Sequence, residues 1–596
     1  MSLSGLFGTL NIGKSGLFTS QRAIDVTSHN IANANTDGYS RQRAELQTTR
    51  PFCTPSMNNA AAPGQVGTGV QVSQIQRIRD TFLDYQVRVE LGVQGNYSGR
   101  DKFLSQVENV FNEPSDTGLS TLLGKFFDSW QQLSKQPETS NGKTMVSEQS
   151  MALANELNHM YGQLNKIKGN AQDLIKQTTI DVNSLLNQID QLNKEIIQIS
   201  VSGNNPNDLM DRRDLLLDQL SSKFGISIDK KNFKSIEINT REDASANSPM
   251  IGGKPVNLVQ TLDPDSVARF AYVSNIEKVG TDDKYNIVYY KNGDMTANEN
   301  RVTVEGVALN ADEYKKLDEC RILWTDKDGA LMKKTAETIE DGVETITDGK
   351  TTVAKFGDIP LFTPSTGEIK GYMSIQQDID TYIDKVNNLA KALAFSVNTI
   401  HGQTDDSAKD ELPFFVNKNE DGVEGDIDAS NITVNKKIVE DPMLIKASKL
   451  DVPPSGESDG KRAMAIAGLR DKLMGIQKIK SGTTRDKYIK DFCGGLVEDE
   501  YGVKTINGTT DGMKIDNYFK DMVDALGIQE QEARRMVKNQ AKVLTSFTQS
   551  RDAVSGVSLD EEMVNLVQFQ HAYVANSKII ATVDELLDVV INGLKR

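Results

Sequence analysis

Residues 2–33 read SLSGLFGTLNIGKSGLFTSQRAIDVTSHNIAN, and they combine few charges with a regular apolar repeat. The repeat advances in steps of three and four residues, which is the spacing of a heptad seam along an α-helix. Its positions are Leu3, Leu6, Leu10, Gly13, Leu17, Ser20, Ile24, Thr27 and Ile31. Because an isolated helix with such a seam is unstable in water, the segment predicts a helix that needs a partner helix.

The last part of the chain supplies a matching helix. Residues 558–596 read SLDEEMVNLVQFQHAYVANSKIIATVDELLDVVINGLKR, and Ser558 with Glu561 fits a capping box at the helix start. The seam positions are again mostly three and four residues apart: Leu559, Met563, Leu566, Tyr573, Ile580, Val583, Leu587, Val590 and Leu594. We expect the two terminal helices to pair as a coiled coil. The side chains expected to contact neighbouring subunits flank these seams: Phe7, Phe18, Phe569 and Leu586.

Between the two terminal helices the sequence changes character several times. Residues 97–223 are mostly helical in pattern, whereas residues 225–364 alternate short β-rich runs such as NRVTVEG with turn residues. We therefore predict a mainly α protein with a β-rich inserted domain, built as a nested, rod-like, multi-domain subunit. The expected divisions are a terminal coiled-coil domain (1–60 and 551–596), a helical domain (61–224, 365–401 and 457–550), the β-rich domain (225–364) and an acidic insertion (402–456).

Residues 8–15, GTLNIGKS, match the phosphate-loop pattern G-x-x-x-x-G-K-[ST] letter for letter. A true phosphate loop follows a buried strand and opens a helix, but Leu10 and Gly13 already belong to the helical seam. The same backbone cannot form both a continuous helix and a phosphate-wrapping loop. We interpret the match as helix-packing glycines, and a nucleotide-binding enzyme stays the alternative that a binding assay with Lys14→Ala would test.

The composition argues against several other functions. The chain has 596 residues and a formal net charge of −16, which makes it a poor candidate for binding nucleic acid. Its cysteines, Cys53, Cys320 and Cys493, lie far apart, so neither a disulfide framework nor a cysteine metal site is expected. The four histidines match no H-E-x-x-H pattern, and no G-x-S-x-G sequence occurs. We expect no catalysis, no cofactor and no membrane insertion.

One segment invites comparison with a calcium loop. In NKNEDGVEGDID, residues 417–428, the first, third and fifth loop positions and the twelfth are Asn417, Asn419, Asp421 and Asp428. The first position is Asn, the twelfth is Asp where Glu is usual, and no paired loop is evident. A solvated acidic surface loop is the preferred interpretation, and a calcium site is the alternative.

The segment DVTSHNIANANTDGYSRQR, residues 25–43, resembles the N-terminal signature of bacterial flagellar rod, hook and hook-associated proteins. The turn motif within it comprises Asn30, Asn33, Asn35, Thr36, Gly38 and Tyr39. Further segments are similar to the hook-associated protein 1 (FlgK) family: 67–88, 205–221, 366–401, 432–448 and 555–591. Hook and rod proteins share the first motif but lack the 205–221 and 366–401 patterns, so a different axial protein is the less favoured alternative.

This resemblance implies a structural role in the flagellum, as part of the ring that joins hook and filament. It implies self-assembly of about eleven subunits in that ring, with the hook protein on one side and a second junction protein on the filament side. It also implies an extracellular position, reached by flagellar export without a cleaved signal peptide. An export chaperone is expected to bind the apolar C-terminal helix in the cytoplasm.

The terminal helices are the expected means of assembly. In the free subunit we expect them to be largely disordered, because no partner surface compensates for the entropy of ordering them. The alternative is that the two seams cover each other within one subunit, which would then join its neighbours as a preformed rod. The residues expected at the assembly interface are Leu3, Leu6, Leu10, Leu17, Ile24, Ile31, Leu559, Met563, Leu566, Phe569, Tyr573, Ile580 and Leu587.

Overall fold

A computed structural model describes most residues of the chain. The described ranges are 5–51, 67–111, 118–240, 250–251, 254–261, 267–280, 283–335, 338–353, 355–403, 412–419, 424–449, 458–480 and 482–593. Four residues singled out from the sequence lie outside the described residues: Leu3, Cys53, Asp421 and Leu594.

Helix is the predominant secondary structure, as the sequence predicts. The α-helices of the described residues are α1 (Leu6–Ala32), α2 (Thr81–Phe111), α3 (Leu119–Lys135), α4 (Ser140–Val201), α5 (Asn207–Lys223), α6 (Ala311–Cys320), α7 (Glu368–His401), α8 (Lys436–Glu440), α9 (Lys461–Ala467), α10 (Arg485–Lys487), α11 (Ile515–Ser555) and α12 (Leu559–Asn592). The predicted start of α12 is confirmed, because the Ser558 side chain accepts a hydrogen bond from the backbone N–H of Glu561.

Most strands lie between residues 226 and 351. The strands are β1 (Gln42–Thr48), β2 (Val70–Arg77), β3 (Ile226–Lys230), β4 (Ile236–Thr240), β5 (Met250–Ile251), β6 (Lys254–Pro255), β7 (Ala268–Lys278), β8 (Lys284–Tyr290), β9 (Arg301–Ala308), β10 (Ile322–Asp326), β11 (Met332–Thr335), β12 (Thr338–Val343), β13 (Lys350–Thr351), β14 (Phe415–Asn417), β15 (Ile432–Val434), β16 (Leu496–Glu498) and β17 (Lys504–Ile506). The prediction of a mainly α protein with a β-rich region is therefore confirmed.

The chain divides into two compact units. Unit 1 comprises Met1–Asn96, Lys176–Lys370 and Lys538–Arg596, and unit 2 comprises Tyr97–Ile175 and Gly371–Val537. Unit 1 thus contains both chain ends and the β-rich region. The division into four regions given above is finer than these two units, and it stays a prediction.

The largest sheet of unit 1 has five strands in the order β10-β7-β8-β9-β13. Neighbouring strands run antiparallel except β13, which pairs with β9 in parallel. Strand β9 explains why one face is buried, since its sequence RVTVEGVA places Val302, Val304 and Val307 inward at mostly alternate positions. The sequence patterns did not predict α6 within this region, although its capping box between Asn310 and Glu313 is a recognisable start signal.

The core of unit 2 is rich in aromatic side chains. Helix α3 buries Phe126 and Trp130 on its apolar face, and the Trp130 ring centroid lies 5.3 Å from that of Phe414. His401 packs against the same rings and uses both nitrogens for backbone hydrogen bonds. Its Nδ1 lies 3.0 Å from the Leu412 carbonyl oxygen, and its Nε2 accepts the backbone N–H of Lys446 at 3.1 Å. This histidine is structural.

Within unit 1, helices α1 and α12 pack antiparallel against each other. Gly16 of α1 lies where a Cβ would come within 2.6 Å of the Asn576 side-chain oxygen, and Asn30 hydrogen-bonds Glu562. Gly13, three residues earlier in α1, faces a position further towards the C-terminal end of α12. A Cβ on Gly13 would come within 3.2 Å of the Ile580 side chain. The glycines therefore let the two helix backbones approach closely.

Two helical glycines offer a matched test of this kind of packing. A Cβ at Gly95 of α2 would lie 2.5 Å from the Ser222 carbonyl oxygen, so Gly95→Ala should destabilise the fold by about 1–3 kcal/mol. A Cβ at Gly162 of α4 meets nothing within 4 Å, so Gly162→Ala should stabilise by about 0.5–1 kcal/mol. Calorimetric unfolding of both variants would check the opposite signs. A stabilising Gly95→Ala would contradict the close approach.

Candidate assembly site

Helix α1 covers only part of its predicted seam. The small seam residues Gly13, Ser20 and Thr27 are buried, and Gly13 faces α12 at short distance. The larger predicted residues are half-buried: Leu6, Leu10, Leu17, Ile24 and Ile31. The helix also buries Ala23 and Val26, which lie beside the predicted line. Small residues thus occupy the centre of the contact between the two helices, and larger, half-buried apolar residues lie along its edges.

Helix α12 is more exposed than α1. Of the predicted interface residues, Leu559 and Met563 are 48% and 51% exposed. The others are half-buried: Leu566, Phe569, Tyr573, Ile580 and Leu587. The residues of α12 that are fully buried, among those described, are Glu562 and Val583. One side of this helix is therefore covered by its own subunit, and much of its apolar surface is not.

The uncovered apolar side chains form a surface on both terminal helices, which we call the apolar margin. On α1 it includes Phe7 at 65% and Phe18 at 57% exposure. On α12 its exposed members are Leu559, Met563, Val564, Val567, Val574, Ile579, Leu586, Val589, Val590 and Ile591. Exposed apolar residues are ordinary when scattered singly, whereas so many on one pair of neighbouring helices indicate an interaction surface.

The predicted turn motif follows α1 directly. The backbone N–H of Asn33 donates to the His29 carbonyl, and the N–H of Thr36 donates to the Asn33 carbonyl at 2.9 Å. Gly38 has a φ of +77°, which a residue with a Cβ rarely adopts, and a Cβ there would lie 3.1 Å from Leu215. Asn35, which lies between Asn33 and Gly38 in this turn, is exposed. This turn sends the chain back along α1 into β1.

Asn30 is the centre of a buried hydrogen-bond group that we call the Asn30 junction. It is 1% exposed. Its amide nitrogen donates to the Gln42 carbonyl at 2.8 Å and to Glu562 Oε2 at 3.0 Å. Its amide oxygen accepts the Gln42 backbone N–H at 3.0 Å and the Tyr39 hydroxyl at 2.8 Å. One side chain therefore joins α1, β1 and α12.

Arg41 joins the same junction from the other side of the turn. Its backbone N–H donates to the Ser555 carbonyl, just before α12. Its guanidinium donates to Glu562 Oε1 and to Glu561 Oε2, each at 2.8 Å. Glu562 is 2% exposed, so these donors compensate for a carboxylate that would be costly to bury alone.

A second buried group, the charge cluster, links the β1–β2 hairpin to α2 and α5. Its members are Arg77, Arg79, Asp84, Arg88, Asp211, Asp214 and Asp218. Asp214 lies 2.6 Å from Arg77 and 3.2 Å from Arg88, and Asp211 lies 2.7 Å from Arg77. Asp211 also accepts the backbone N–H of Ser40, next to the turn motif.

Two of the four aspartates of α5, Asp211 and Asp214, have opposite pKa shifts. Burial raises the pKa of Asp211 above its ordinary value, and the charge of Arg77 offsets this only in part. Burial would also raise the pKa of Asp214, but the charges of Arg79, Arg77 and Arg88 outweigh it and hold that pKa well below its ordinary value. Asp214 is therefore the carboxylate on which the surrounding arginines converge.

The sequence reasoning did not single out the charge cluster. A usable signal existed, since Asp211, Asp214 and Asp218 are spaced three and four apart and share one face of α5. Without a partner in view, such a stripe resembles an ordinary solvated face. The arginines that neutralise it come from residues 77–88, more than a hundred positions away.

The geometry gives little support to the two alternatives raised by the sequence, nucleotide binding and calcium binding. Residues 8–15 lie inside α1, so their backbone is helical and does not wrap a phosphate. In the calcium candidate, Asn417 Oδ1 accepts the N–H of Asn419, and Asp428 Oδ1 accepts the N–H and hydroxyl of Ser430. Among the described residues, no group of three or more His, Cys, Asp or Glu side chains could hold a metal ion. Within the same residues, no helix is long and apolar enough to cross a membrane.

Comparison with known families agrees with the placement of these elements. Residues 10–39 match the family described as flagella basal body rod protein, and residues 548–593 match the C-terminal family of the flagellar basal body rod FlgEFG proteins. Residues 104–297 match the helical domain of flagellar hook-associated protein FlgK. None of these families is catalytic. Both terminal helices and the helical region between them are thus similar to parts of flagellar structural proteins.

Relatives that match this chain along nearly its whole length identify the family more specifically. The chain is 30% identical over 600 residues to flagellar hook-associated protein 1 of Bacillus subtilis (strain 168), with 99% of each chain covered. It is 24% identical to the protein of that name from Escherichia coli (strain K12), with 98% of this chain and 99% of that protein covered. The structure of the flagellar hook junction protein FlgK from Burkholderia pseudomallei covers 79% of this chain and all of that one, at 12% identity and a TM-score of 0.48. The chain belongs to the family of flagellar hook-associated protein 1, a family of structural flagellar proteins.

The Asn30 junction predicts a charge-dependent coupling between the chain ends. Asn30→Asp should destabilise by about 2–4 kcal/mol, because a carboxylate would replace the donor that faces buried Glu562. Adding Glu562→Gln should recover part of the loss, since an amide at 562 can donate to the new carboxylate, whereas the Gln42 carbonyl still lacks its donor. The measurement is the thermal unfolding midpoint, with exposed Asn35→Asp as the control. An unchanged midpoint would show that the junction is not formed in the free chain.

Removing the carboxylate at the centre of the charge cluster should be costly. Asp214→Asn leaves three buried arginines with one partner fewer, so we expect a loss of about 3–5 kcal/mol in the free energy of unfolding. Exposed Asp229→Asn on β3 should change it by less than about 0.5 kcal/mol. Equal effects of the two substitutions would contradict the role of the cluster.

The Asp214→Asn variant also tests how the free energy of unfolding depends on pH. Because the folded pKa of Asp214 lies below its unfolded value of 3.8, its stabilising contribution is complete above that pH and is lost as the pH falls through the folded pKa. The stability difference between the parent chain and Asp214→Asn should therefore shrink below pH 3.8. Unfolding titrations of both proteins would measure it, and the opposing shift of Asp211 is present in each. A difference that grew on acidification would contradict the assignment.

Proposed function

We propose that this chain is a structural component of the junction between flagellar hook and filament, with no catalytic activity, and that it assembles through its terminal helices. The observation that carries the proposal is the apolar margin on α1 and α12. In this chain of net charge −16, Phe7 and Val564 of the terminal helices are 65% and 67% exposed, which places them among the most exposed large apolar side chains of the described residues. Covering such apolar side chains with another protein surface removes them from water and so stabilises the assembly.

The terminal pair is proposed to be a coiled coil within the subunit. The heptad spacing of α1 and the close approach at Gly13 and Gly16 support this. The half-buried residues would then be shared between subunits: Leu6, Leu10, Leu17, Ile24, Ile31, Leu566, Phe569, Tyr573, Ile580 and Leu587. Neighbouring copies would complete their burial, as in a closed ring of repeated contacts.

The partners follow from the family and from this surface. A ring of about eleven copies would sit between the hook protein and a second junction protein on the filament side, outside the cell. Export without a cleaved signal peptide would require a cytoplasmic chaperone to cover the apolar C-terminal helix beforehand. No cofactor, nucleic acid or membrane insertion enters the proposal.

Two routes to assembly remain open to measurement. If the pair forms only with neighbours present, its ordering entropy is compensated at assembly, and the monomer should exchange its amide hydrogens quickly in residues 5–34 and 557–593. If the Asn30 junction already holds the pair, these residues should be protected in the monomer. Exchange at residues 118–135 and 371–401 gives the internal reference for folded helix.

Substitutions in the apolar margin separate assembly from folding. Val564→Asp and Val574→Asp should leave monomer unfolding unchanged, because both side chains are exposed, but should abolish assembly by placing charge in the interface. Leu566→Asp and Leu587→Asp should also abolish assembly and leave the middle of the chain folded. Electron microscopy of hooks with attached filaments, in cells that make only the variant, measures the effect.

The matched control for this test is Glu585→Gln, an exposed polar change on the same helix. It should support filaments at the level of the parent chain. Normal filaments with Val564→Asp and Leu566→Asp would overturn the proposal that the terminal helices mediate assembly.

A further inference from the structure

Unit 1 contains a cleft of about 1000 Å³ that the assembly surface does not use. It is bordered by β2, the start of α2, α5 and the β3–β4 hairpin. Its lining is unusual for so acidic a chain, because it holds seven cationic side chains and two carboxylates. The cationic residues are Arg77, Arg79, Arg88, Arg213, Lys230, Lys231 and Lys234.

The two carboxylates of the cleft, Asp84 and Asp214, are already engaged by arginines of the charge cluster. Lys231 pairs with Glu237 at 2.8 Å. By contrast, within the described part of the chain no carboxylate oxygen lies within 4.0 Å of the side-chain nitrogens of Arg213, Lys230 or Lys234. The cleft therefore carries positive charge that its own residues do not neutralise.

Arg213 lies at the base of this excess charge. It is 4% exposed, and its Nη1 donates to Asn193 Oδ1 and to the Lys234 carbonyl, each at 2.9 Å. Its Nε has no hydrogen-bond partner among the described residues. Burial lowers the pKa of Arg213 to about 10; the charge of Asp214 opposes this shift, and the like charges of Arg77 and Arg88 add to it. A further anion in the cleft would offset the lowering.

The hairpin holds Lys234 over the cleft at a cost in backbone strain. Phe233 and Lys234 have φ values of 54° and 59°, so two consecutive residues with side chains adopt the left-handed region. The Lys234 ammonium then hydrogen-bonds Asn205 Oδ1, a neutral acceptor on the opposite wall. Burial, and then the charge of Arg77, lower the pKa of this lysine. Strained residues of this kind concentrate at binding sites.

The shape and the apolar lining of the cleft favour an extended chain over a small ion. Within the described residues β3 pairs only with β4, so it has a second edge without a strand partner. On β2, by contrast, the Ile75 carbonyl of the second edge already accepts the side-chain amides of Asn205 and Asn207. Apolar side chains alternate with the cations along the walls: Val89, Met210, Leu217, Ile226, Ile228 and Ile236. Edge strands bind extended peptides through main-chain hydrogen bonds, and the flanking side chains set specificity.

We propose that this cleft binds an extended acidic segment of a partner protein, whose carboxylates meet Lys230, Lys234 and Arg213 and whose apolar side chains pack against Met210 and Ile228. Charge complementarity selects the segment, and the open edge of β3 aligns it. None of the residues that line the cleft belongs to α1 or α12, so a partner could attach while these helices are engaged in assembly.

The test uses the full chain and a short fluorescent peptide of alternating valine and glutamate. Binding, read by fluorescence anisotropy, should weaken as salt rises and should be lost when glutamine or lysine replaces glutamate in the peptide. Lys230→Glu and Lys234→Glu should each weaken it roughly tenfold. Lys284→Glu, an exposed substitution on β8 outside the cleft, should leave it unchanged.

Lys230 is exposed, so Lys230→Glu keeps the test valid if Lys234→Glu disturbs the strained hairpin. Equal binding of the glutamine peptide, or undiminished binding by Lys230→Glu, would overturn the proposal. If inorganic phosphate displaced the peptide at similar concentrations, the cleft would be a small-anion site and the acidic-segment proposal would fail.

Discussion

The buried amide of Asn30 is the interaction on which the ends of this chain depend. It donates to Glu562 and to the Gln42 carbonyl, and it accepts from Gln42 and Tyr39, so its full hydrogen-bonding capacity is used. A buried polar group is tolerable only when it is satisfied. The first helix, the turn that follows it and the last helix must therefore be in place together, although 532 positions separate Asn30 from Glu562.

The charge cluster extends this constraint into the rest of unit 1. Ser40, two residues after Gly38, donates its backbone N–H to Asp211, and Asp211 shares Arg77 with Asp214. Arg551 at the end of α11 reaches Asp218 at 2.6 Å. Ionic contacts of this density are specific in geometry more than they are stabilising, since burial consumes much of their Coulombic gain. They fix the orientation of the terminal pair relative to the β1–β2 hairpin and α5.

The two surfaces of unit 1 differ in the chemistry they can recognise. The apolar margin has no charge to select a partner, and it suits repeated contact with copies that present the same surface. The cationic cleft has positive charge and the open edge of β3, and it suits a partner of opposite charge. A family of structural flagellar proteins needs the first kind of surface in order to assemble. The cationic cleft would let such an assembly also bind an acidic segment of a partner protein.

The periodic features and the family can be recognised from the sequence alone. Heptad spacing gave α1 and α12, a capping box gave Ser558, β-rich runs gave the strands between 226 and 351, and segment 25–43 pointed to the flagellar class. Periodicity is a local property, so it can be seen in one chain. Which side of α12 is covered was decided only by tertiary structure: Leu559 and Met563 are exposed while charged Glu562 is buried, because Asn30 and Arg41 supply its donors. The charge cluster was hidden for the same reason, since charges far apart in sequence look like solvated surface until the fold brings them together.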